Sequence, residues 1–94
     1  MNSSDHFKFR LYVAGDGPNS TQAIANLHAL CRELLPERHE IEVVDVLREQ
    51  QRALADNVML TPLLVKLSPA PIRQIVGTLS RRDPILQALG LSAP

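Results

Sequence analysis

Within the first 36 residues, the spacing of apolar side chains changes from that of a strand to that of a helix, and this change constrains the fold more than any other feature of the chain. In residues 7–13, apolar side chains alternate with polar ones, as in a β-strand that buries one face. Turn-forming residues follow at 15–19, and apolar side chains then recur every three or four positions until Pro36, which would end a helix. Asn19 or Ser20 is expected to cap this helix. The alternation predicts that the exposed face of this strand carries Lys8, Arg10 and Tyr12.

The next segments predict a second parallel strand and a short helix. Residues 41–46 are almost entirely apolar, which is typical of a central strand covered by helices. Together with the first strand and helix, they predict a right-handed βαβ unit. Residues 48–56 are mostly polar, and a short helix is expected there with Leu54 and Ala55 as its main apolar contacts.

The C-terminal half predicts two antiparallel strands and a final helix. Pro62 stands at the entrance of a strand over residues 63–67, where it costs no hydrogen bond of the sheet. The short link that follows can join only an antiparallel neighbour, which is predicted over residues 72–76. Asp83 is expected to cap the final helix, with Pro84 in its first position.

The resulting order, β-α-β-α-β-β-α with a proline at the entrance of the third strand, is that of the thioredoxin-like α/β fold. Gly90 is expected to end the last helix. A chain of 94 residues has room for one hydrophobic core, so a single domain is expected over residues 1–94. Residues 1–6 are polar and are expected to form a disordered tail, while residues 7–90 form the folded core.

The balance of charges limits the classes of partner. Ten acidic residues equal ten lysines and arginines, so no basic excess is present to neutralise the phosphates of a nucleic acid. A formal net charge of zero leaves self-association open. No apolar run approaches the roughly 18–20 residues that span a bilayer, and the N-terminus has no secretory pattern. A cytoplasmic protein that binds neither nucleic acid nor membrane is expected.

The single cysteine, Cys31, argues against redox and metal chemistry. A thioredoxin-type enzyme needs its nucleophilic thiol in the turn between the first strand and the first helix, where the helix N-terminus stabilises the thiolate. That turn, residues 15–20, contains no cysteine, whereas Cys31 lies on the apolar stripe of the helix and is expected to pack as a small hydrophobic residue. One thiol also forms no internal disulfide and no thiolate-rich zinc site.

The other candidate site residues have simple structural explanations. Gly15 and Gly17 fit a tight strand-to-helix turn better than a phosphate-binding loop, since Asp16 between them would repel a phosphate. Three histidines lack ligand spacing or a paired carboxylate and are expected to be solvated surface groups, namely His6, His28 and His39. Asp45 is expected to cap the following helix. No catalytic, cofactor-binding or metal site is predicted, and the protein is not expected to be an enzyme.

Several short segments together carry a family resemblance. They read Leu-Tyr-Val-Ala-Gly at 11–15, Pro-Asn-Ser at 18–20, Val-Asp-Val-Leu at 44–47, Thr-Pro-Leu-Leu-Val-Lys at 61–66, Pro-Ala-Pro-Ile-Arg at 69–73 and Gly-Thr-Leu-Ser-Arg at 77–81. In this order and spacing, from about residue 7 to residue 89 without a gap, the chain resembles the KaiB family of circadian clock proteins.

The resemblance implies a protein without catalysis of its own that binds the ATPase KaiC and modulates its phosphorylation cycle. The further partners that it implies are KaiA and the histidine kinase SasA, whose sensor domain is itself KaiB-like. It also implies a metamorphic chain, whose C-terminal half has one fold in a tetrameric ground state and a thioredoxin-like fold when it binds KaiC. Pro62 matches the family proline that is cis in the thioredoxin-like state.

The candidate partner-binding residues are charged side chains on the predicted strands. Lys8 and Arg10 lie on the first strand, where they form a solvated face unless a partner covers them. Lys66 and Arg73 match basic family residues that are implicated in partner contacts. Glu42 stands where the family often carries a lysine, which reverses a charge near the expected KaiC surface.

Ala88 bears on the choice between the two folds. It stands where the family pattern has a glycine, and alanine favours a helix interior over glycine by about 1 kcal/mol. We therefore expect the chain to rest in the thioredoxin-like state as a monomer or dimer, rather than as a tetramer. Ala88 and Gly90, with Pro62, are the candidate fold-switch residues.

Two alternative functions are open. The chain could be a KaiB-like interaction module in stress or histidine-kinase signalling that works without an oscillator. It could also be a vestigial thioredoxin-fold enzyme in which Ser20, at a helix N-terminus, activates a thiol such as glutathione. A serine at that position is more often simply the helix cap.

Overall fold

A computed structural model describes residues 6–91 of the chain. Its elements are β1 (Phe7–Val13), α1 (Pro18–Leu34), β2 (His39–Asp45), α2 (Gln50–Ala55), β3 (Leu63–Ser68), β4 (Arg73–Val76) and α3 (Arg82–Leu89). This order confirms the thioredoxin-like α/β class. The predicted tail lies, apart from His6, outside the described residues. Within residues 6–91, no helix has both the length and the hydrophobicity needed to cross a lipid bilayer.

The four strands form one mixed sheet in the order β2-β1-β3-β4. As predicted, β1 pairs in parallel with β2, and β3 pairs antiparallel with β4; β3 also pairs antiparallel with β1. The predicted central position of β2 is wrong, because β2 is an edge strand on which only Val44 is buried. The apolar content of a strand does not by itself predict which strands will pair with it. Here β3 adds to the other side of β1 and leaves one edge of β2 free.

The main hydrophobic core lies between one face of the sheet and the helices α1 and α3. β1 contributes alternate residues to it, as its period predicted, and Phe9 and Leu11 are almost fully buried. Burying each of these side chains contributes about 1.5–3 kcal/mol. The buried helix residues are Ala23, Leu27, Leu30 and Cys31 on α1 and Ile85, Leu86 and Leu89 on α3.

A smaller cluster covers the opposite face of the sheet. Its buried members are Tyr12, Val44, Leu63 and Val65. Tyr12 was predicted to face solvent but is only 3% exposed, because the segment after α2 closes over it through Val58. α2 itself buries no side chain, so the predicted apolar contacts of Leu54 and Ala55 are wrong, and both residues are exposed.

The start of α1 differs from its predicted start. The helix begins at Pro18 with Gly17 as its cap, so the predicted capping roles of Asn19 and Ser20 are wrong. Proline suits this first position because its missing N–H would have no partner within the helix. Ser20 is instead buried in the first turn, where its hydroxyl donates a hydrogen bond to the Ala14 carbonyl at 3.3 Å.

The end of α3 is as predicted, and its start is not. α3 begins at Arg82, so Asp83 and Pro84 lie within its first turn rather than at the cap and the first position. Gly90 ends the helix in the left-handed conformation, with φ of 75°, that favours glycine. Ala88 lies half-buried within α3. The peptide bond before Pro62 is cis, as the resemblance implied.

Candidate partner-binding surface

The turn between β1 and α1 occupies the position where a thioredoxin-type enzyme would carry its reactive cysteine. Together with Pro62 it forms a cleft of about 220 Å³ that is lined by Ser20 and, within the described residues, by no cysteine. The Asp45 carboxylate holds this turn by accepting hydrogen bonds from the backbone N–H groups of Gly15 and Leu47, both at 3.0 Å. These bonds lower the pKa of Asp45. Its predicted role as the cap of α2 is wrong, because α2 begins several residues later.

Cys31 is fully buried on α1, within the main core. Burial raises the pKa of its thiol to about 12, because apolar surroundings disfavour the thiolate. At neutral pH the thiol is therefore protonated and inaccessible. Cys31 packs as the small hydrophobic residue that its position on the helix predicted.

We expect Cys31 to react with the thiol reagent DTNB only when the protein unfolds. At pH 8 the native chain should react at less than about one-hundredth of the rate in denaturant, since burial and protonation both suppress attack by the sulfur. The release of the coloured reagent thiolate measures both rates. Comparable rates in the two conditions would mean that α1 separates from the sheet in the native state.

Two of the three histidines, His6 and His39, have polar partners. The Nε2 atom of His6 lies 2.9 Å from a carboxylate oxygen of Glu40. His39 donates from Nδ1 to the Leu35 carbonyl at 2.7 Å, and both His28 and His39 are half-buried, so these two are less exposed than the solvated surface groups that were predicted. Across residues 6–91, no three His, Cys, Asp or Glu side chains are grouped so that they could hold a metal ion.

The five charged residues predicted to contact partners are divided between the two faces of the sheet. Arg10 and Glu42 face each other across β1 and β2, beside the smaller cluster that contains Tyr12. Glu42 accepts one hydrogen bond from Arg10 at 2.9 Å and forms an ion pair with Arg52 at 2.7 Å, and these contacts lower its pKa. The hydrogen bonds of Arg10 to Tyr12 and Glu42 raise the pKa of Arg10. Lys8, on the same face of β1, is exposed.

Lys66 and Arg73 lie opposite each other on β3 and β4, on the face that the helices cover. Arg73 is exposed, whereas Lys66 is only 3% exposed, with Nζ 5.9 Å from the centre of the Phe7 ring. Burial, and after it the charge of Arg73, lowers the pKa of Lys66. No carboxylate among residues 6–91 pairs with the Lys66 ammonium.

Sequence reasoning missed a group of exposed apolar side chains around α2. This group, the α2 surface, comprises Leu47, Leu54, Met59 and Leu60, whose exposed fractions are 60, 80, 85 and 61%. Leu54 and Met59 line a cleft of about 360 Å³ together with Val58. Large contiguous patches of exposed apolar side chains mark interaction sites, and the α2 surface is a candidate for one. The signal in the sequence was the apolar run at 58–60, where a loop joins α2 to Pro62.

Comparison with known proteins confirms the family resemblance. Residues 10–91 match the KaiB domain family. The chain is 39% identical over 82 residues to the circadian clock protein KaiB3 of Synechocystis sp., which covers 87% of this chain and 80% of that protein. It is also 39% identical over 85 residues to the circadian clock oscillator protein KaiB of Microcystis aeruginosa, which covers 90% of this chain and 82% of that protein.

Solved structures share the fold at much lower identity. The N-terminal domain of Synechococcus elongatus SasA matches with a TM-score of 0.73 at 16% identity, over 100% of this chain and 92% of that chain. The thioredoxin Deadhead of Drosophila melanogaster matches with a TM-score of 0.70 at 13% identity, over 92% of this chain and 80% of that chain. At such identities these likenesses establish the thioredoxin-like fold alone.

Proposed function

The chain belongs to the KaiB family, and from this membership we propose that it docks on the ATPase KaiC, or on a KaiC-like ATPase, and modulates its phosphorylation cycle. In this proposal it works in the cytoplasm, as a monomer or dimer, and has no catalysis of its own. KaiA or a SasA-like histidine kinase would then act on the same assembly. The observation that gives this docking a place on the protein is the α2 surface.

The α2 surface is suited to docking because it is apolar and accessible. Burying side chains as large as Met59 and Leu60 in an interface contributes up to roughly 1.5–3 kcal/mol each. Docking on this surface need not leave the nearby charge of Arg52 unpaired, because Arg52 already forms ion pairs within the protein with Glu42 at 2.7 Å and with Glu49 at 3.4 Å. The charge that Glu42 reverses relative to the family is therefore largely neutralised within the protein itself.

The charged candidate residues take different parts in this proposal. Lys8 and Arg73 are exposed and are available for direct contacts with a partner. Arg10 and Glu42 act indirectly, since their contacts with each other and with α2 hold the α2 surface against the sheet. Lys66 is only 3% exposed, so it is the least accessible of the five candidate residues.

Replacing both Met59 and Leu60 by serine should lower the affinity for the KaiC of the same organism by about tenfold or more, because two large apolar side chains would be lost from the interface. The folded state should tolerate the change, since these side chains are 85 and 61% exposed. Isothermal titration calorimetry, carried out with each phosphorylation state of KaiC, measures the dissociation constants of the unaltered chain and of the double variant.

Ile72→Ser is the matched control for this pair of substitutions. Ile72 is also 61% exposed, but it lies just before β4 rather than beside α2. The control should bind KaiC as the unaltered chain does. The proposal fails if Ile72→Ser and the double variant lose affinity equally, or if the unaltered chain binds KaiC in no phosphorylation state.

A second candidate is a KaiB-like interaction module in stress or histidine-kinase signalling. Glu42 favours it, because its carboxylate, although paired, is 47% exposed where the family often carries a lysine, so a partner that contacts this position would differ from one that meets the lysine. Binding of a histidine kinase encoded beside this gene, together with no binding of KaiC, would favour this candidate. The vestigial thiol enzyme has less support, since the buried Ser20 hydroxyl is engaged with the Ala14 carbonyl.

A further inference from the structure

The outer edge of β4 carries unpaired backbone groups. β4 is the last strand of the sheet, and residues of antiparallel strands alternate between hydrogen-bonded and non-bonded pairs. The Gly77 N–H donates to the Pro62 carbonyl at 2.9 Å, so the odd-numbered residues of β4 turn their backbone groups toward β3. The even-numbered residues, Gln74 and Val76, therefore turn their N–H and C=O groups outward. Such an edge is a template for an added strand.

A mostly apolar cleft of about 410 Å³ lies against this edge. It is lined by residues 75–81 at the end of β4 and in the following segment, and by Pro84 and Ile85 of α3. The side chain of Val76 is 55% exposed. Because side chains alternate along a strand, a strand added beside β4 would direct every second side chain toward the helix side of the sheet, where this cleft lies.

The charges at this edge favour an acidic ligand. Arg81 lines the cleft and Arg73 begins β4, and neither has an ion-pair partner within residues 6–91. The neighbouring Arg82 is different, because both of its terminal nitrogens bind the Glu33 carboxylate at 2.9 Å. Asp83 lies in the first turn of α3 and does not line the cleft.

We propose that the β4 edge is a second protein-interaction site, which binds an extended acidic segment of a partner protein by strand addition. The segment pairs with the backbone of Gln74 and Val76, places a small apolar side chain in the cleft and sets a carboxylate against Arg81. This site is separate from the α2 surface and does not depend on docking to an ATPase.

A second copy of the chain fits this edge less well than a partner protein does. The acidic strand that a copy could offer is β2, but its Glu42 is already held by Arg10 and Arg52, and its Asp45 is held by the β1–α1 turn. Pairing β2 of one copy with β4 of the next would also leave an open edge at each end. Such head-to-tail contacts produce open chains of molecules rather than a closed oligomer.

The test uses a blocked seven-residue peptide of alternating valine and threonine with an aspartate at each end, added to the isotope-labelled chain. We expect saturable shifts of the backbone amides of Gln74 and Val76.

Gln74→Pro removes an outward N–H without breaking a bond to β3, and should weaken binding by about tenfold or more. Gln74→Ala is the matched control and should bind as the unaltered chain. Arg81→Gln should weaken binding several-fold, and so should a peptide with asparagine at both ends.

Three results with the peptide would overturn the proposal: no shift at the β4 amides, equal affinity of a natively folded Gln74→Pro variant, or equal affinity for the asparagine peptide. Concentration-dependent self-association that Gln74→Pro abolishes would overturn it too, and would assign the edge to a second copy. The variant with serine at positions 59 and 60 should bind the peptide normally. This result separates the β4 site from the proposed docking on KaiC.

Discussion

Replacing Lys66 by methionine is expected to raise the free energy of unfolding by about 1–2 kcal/mol at neutral pH. Lys66 is 3% exposed, so its ammonium group has lost most of its water, and no described carboxylate compensates for that loss. The contact with the Phe7 ring, at 5.9 Å, returns only about 0.5–1 kcal/mol. Methionine keeps an unbranched side chain in the same space and removes the charge.

The dependence of this gain on pH separates the effect of charge from that of packing. The pKa of Lys66 in the folded chain lies below its ordinary value of 10.5, through burial and the charge of Arg73. Between the two values the unfolded chain binds more protons, so stability rises with pH there. The penalty is full below the folded pKa and vanishes above the ordinary value. The gain from Lys66→Met should therefore shrink as the pH rises from the folded pKa toward 10.5 and be lost above 10.5, as measured by urea unfolding at a series of pH values.

Lys8→Met is the matched control, because Lys8 is an exposed lysine on the same sheet. Its stability should change by no more than about 0.5 kcal/mol. A loss of stability in Lys66→Met, or a gain of the same size at every pH, would contradict the electrostatic argument. If a partner supplies a carboxylate to Lys66, the stabilised variant should also bind that partner more weakly.

The features that the sequence predicted correctly are those that depend on local geometry. The alternation in β1 follows from the two-residue period of a strand, and the stripe on α1 follows from the 3.6-residue period of a helix. Pro36 limits α1 because proline has no N–H to donate and its ring clashes with the preceding turn, and Gly90 ends α3 because glycine readily adopts the left-handed conformation. The short link between β3 and β4 allows only antiparallel pairing, because parallel neighbours need a long crossover connection.

The features that the sequence did not predict depend on contacts between distant segments. β2 is an edge strand because β3, which comes later in the chain, pairs with the other side of β1. Tyr12 is buried because Val58 reaches the same face. Lys66 was expected to be accessible because lysines usually are, but the pairing of β3 with β1 turns it toward Phe7 in the main core. The α2 surface likewise emerges only once α2 is known to bury no side chain.

Tyr12→Phe should destabilise α2 and the segment after it. The Tyr12 hydroxyl donates a hydrogen bond to the Asp56 carboxylate, immediately after α2, and α2 has no buried side chain of its own. Removing the hydroxyl should cost about 1–2 kcal/mol, since hydrogen bonds to charged groups are strong but a carboxylate that is 33% exposed regains some water. Hydrogen exchange should report the loss as faster exchange at the amides of Ala53 and Asp56.

The pH dependence of this contribution has the opposite sign to that of Lys66. Burial, and then the bond to Asp56, raises the pKa of Tyr12 above its ordinary value of 10.0. The folded chain then holds the proton to higher pH than the unfolded chain, so stability falls as pH rises from the ordinary value through the folded pKa. Tyr12→Phe should therefore remove this part of the loss of stability at alkaline pH. Lys66→Met should remove the rise in stability with pH that Lys66 contributes.

A double-mutant cycle with Asp56→Ala identifies the partner of the hydroxyl. In that background Tyr12→Phe should cost little, because the acceptor is already absent. An equal cost in both backgrounds would show that the hydroxyl acts instead through Arg10, whose Nη1 lies 3.4 Å away. Because Asp56 anchors the segment between Leu54 and Met59, Tyr12→Phe should also weaken docking through the α2 surface without altering any side chain on it. Docking would then depend on how firmly α2 is held to the sheet, as well as on which residues it exposes.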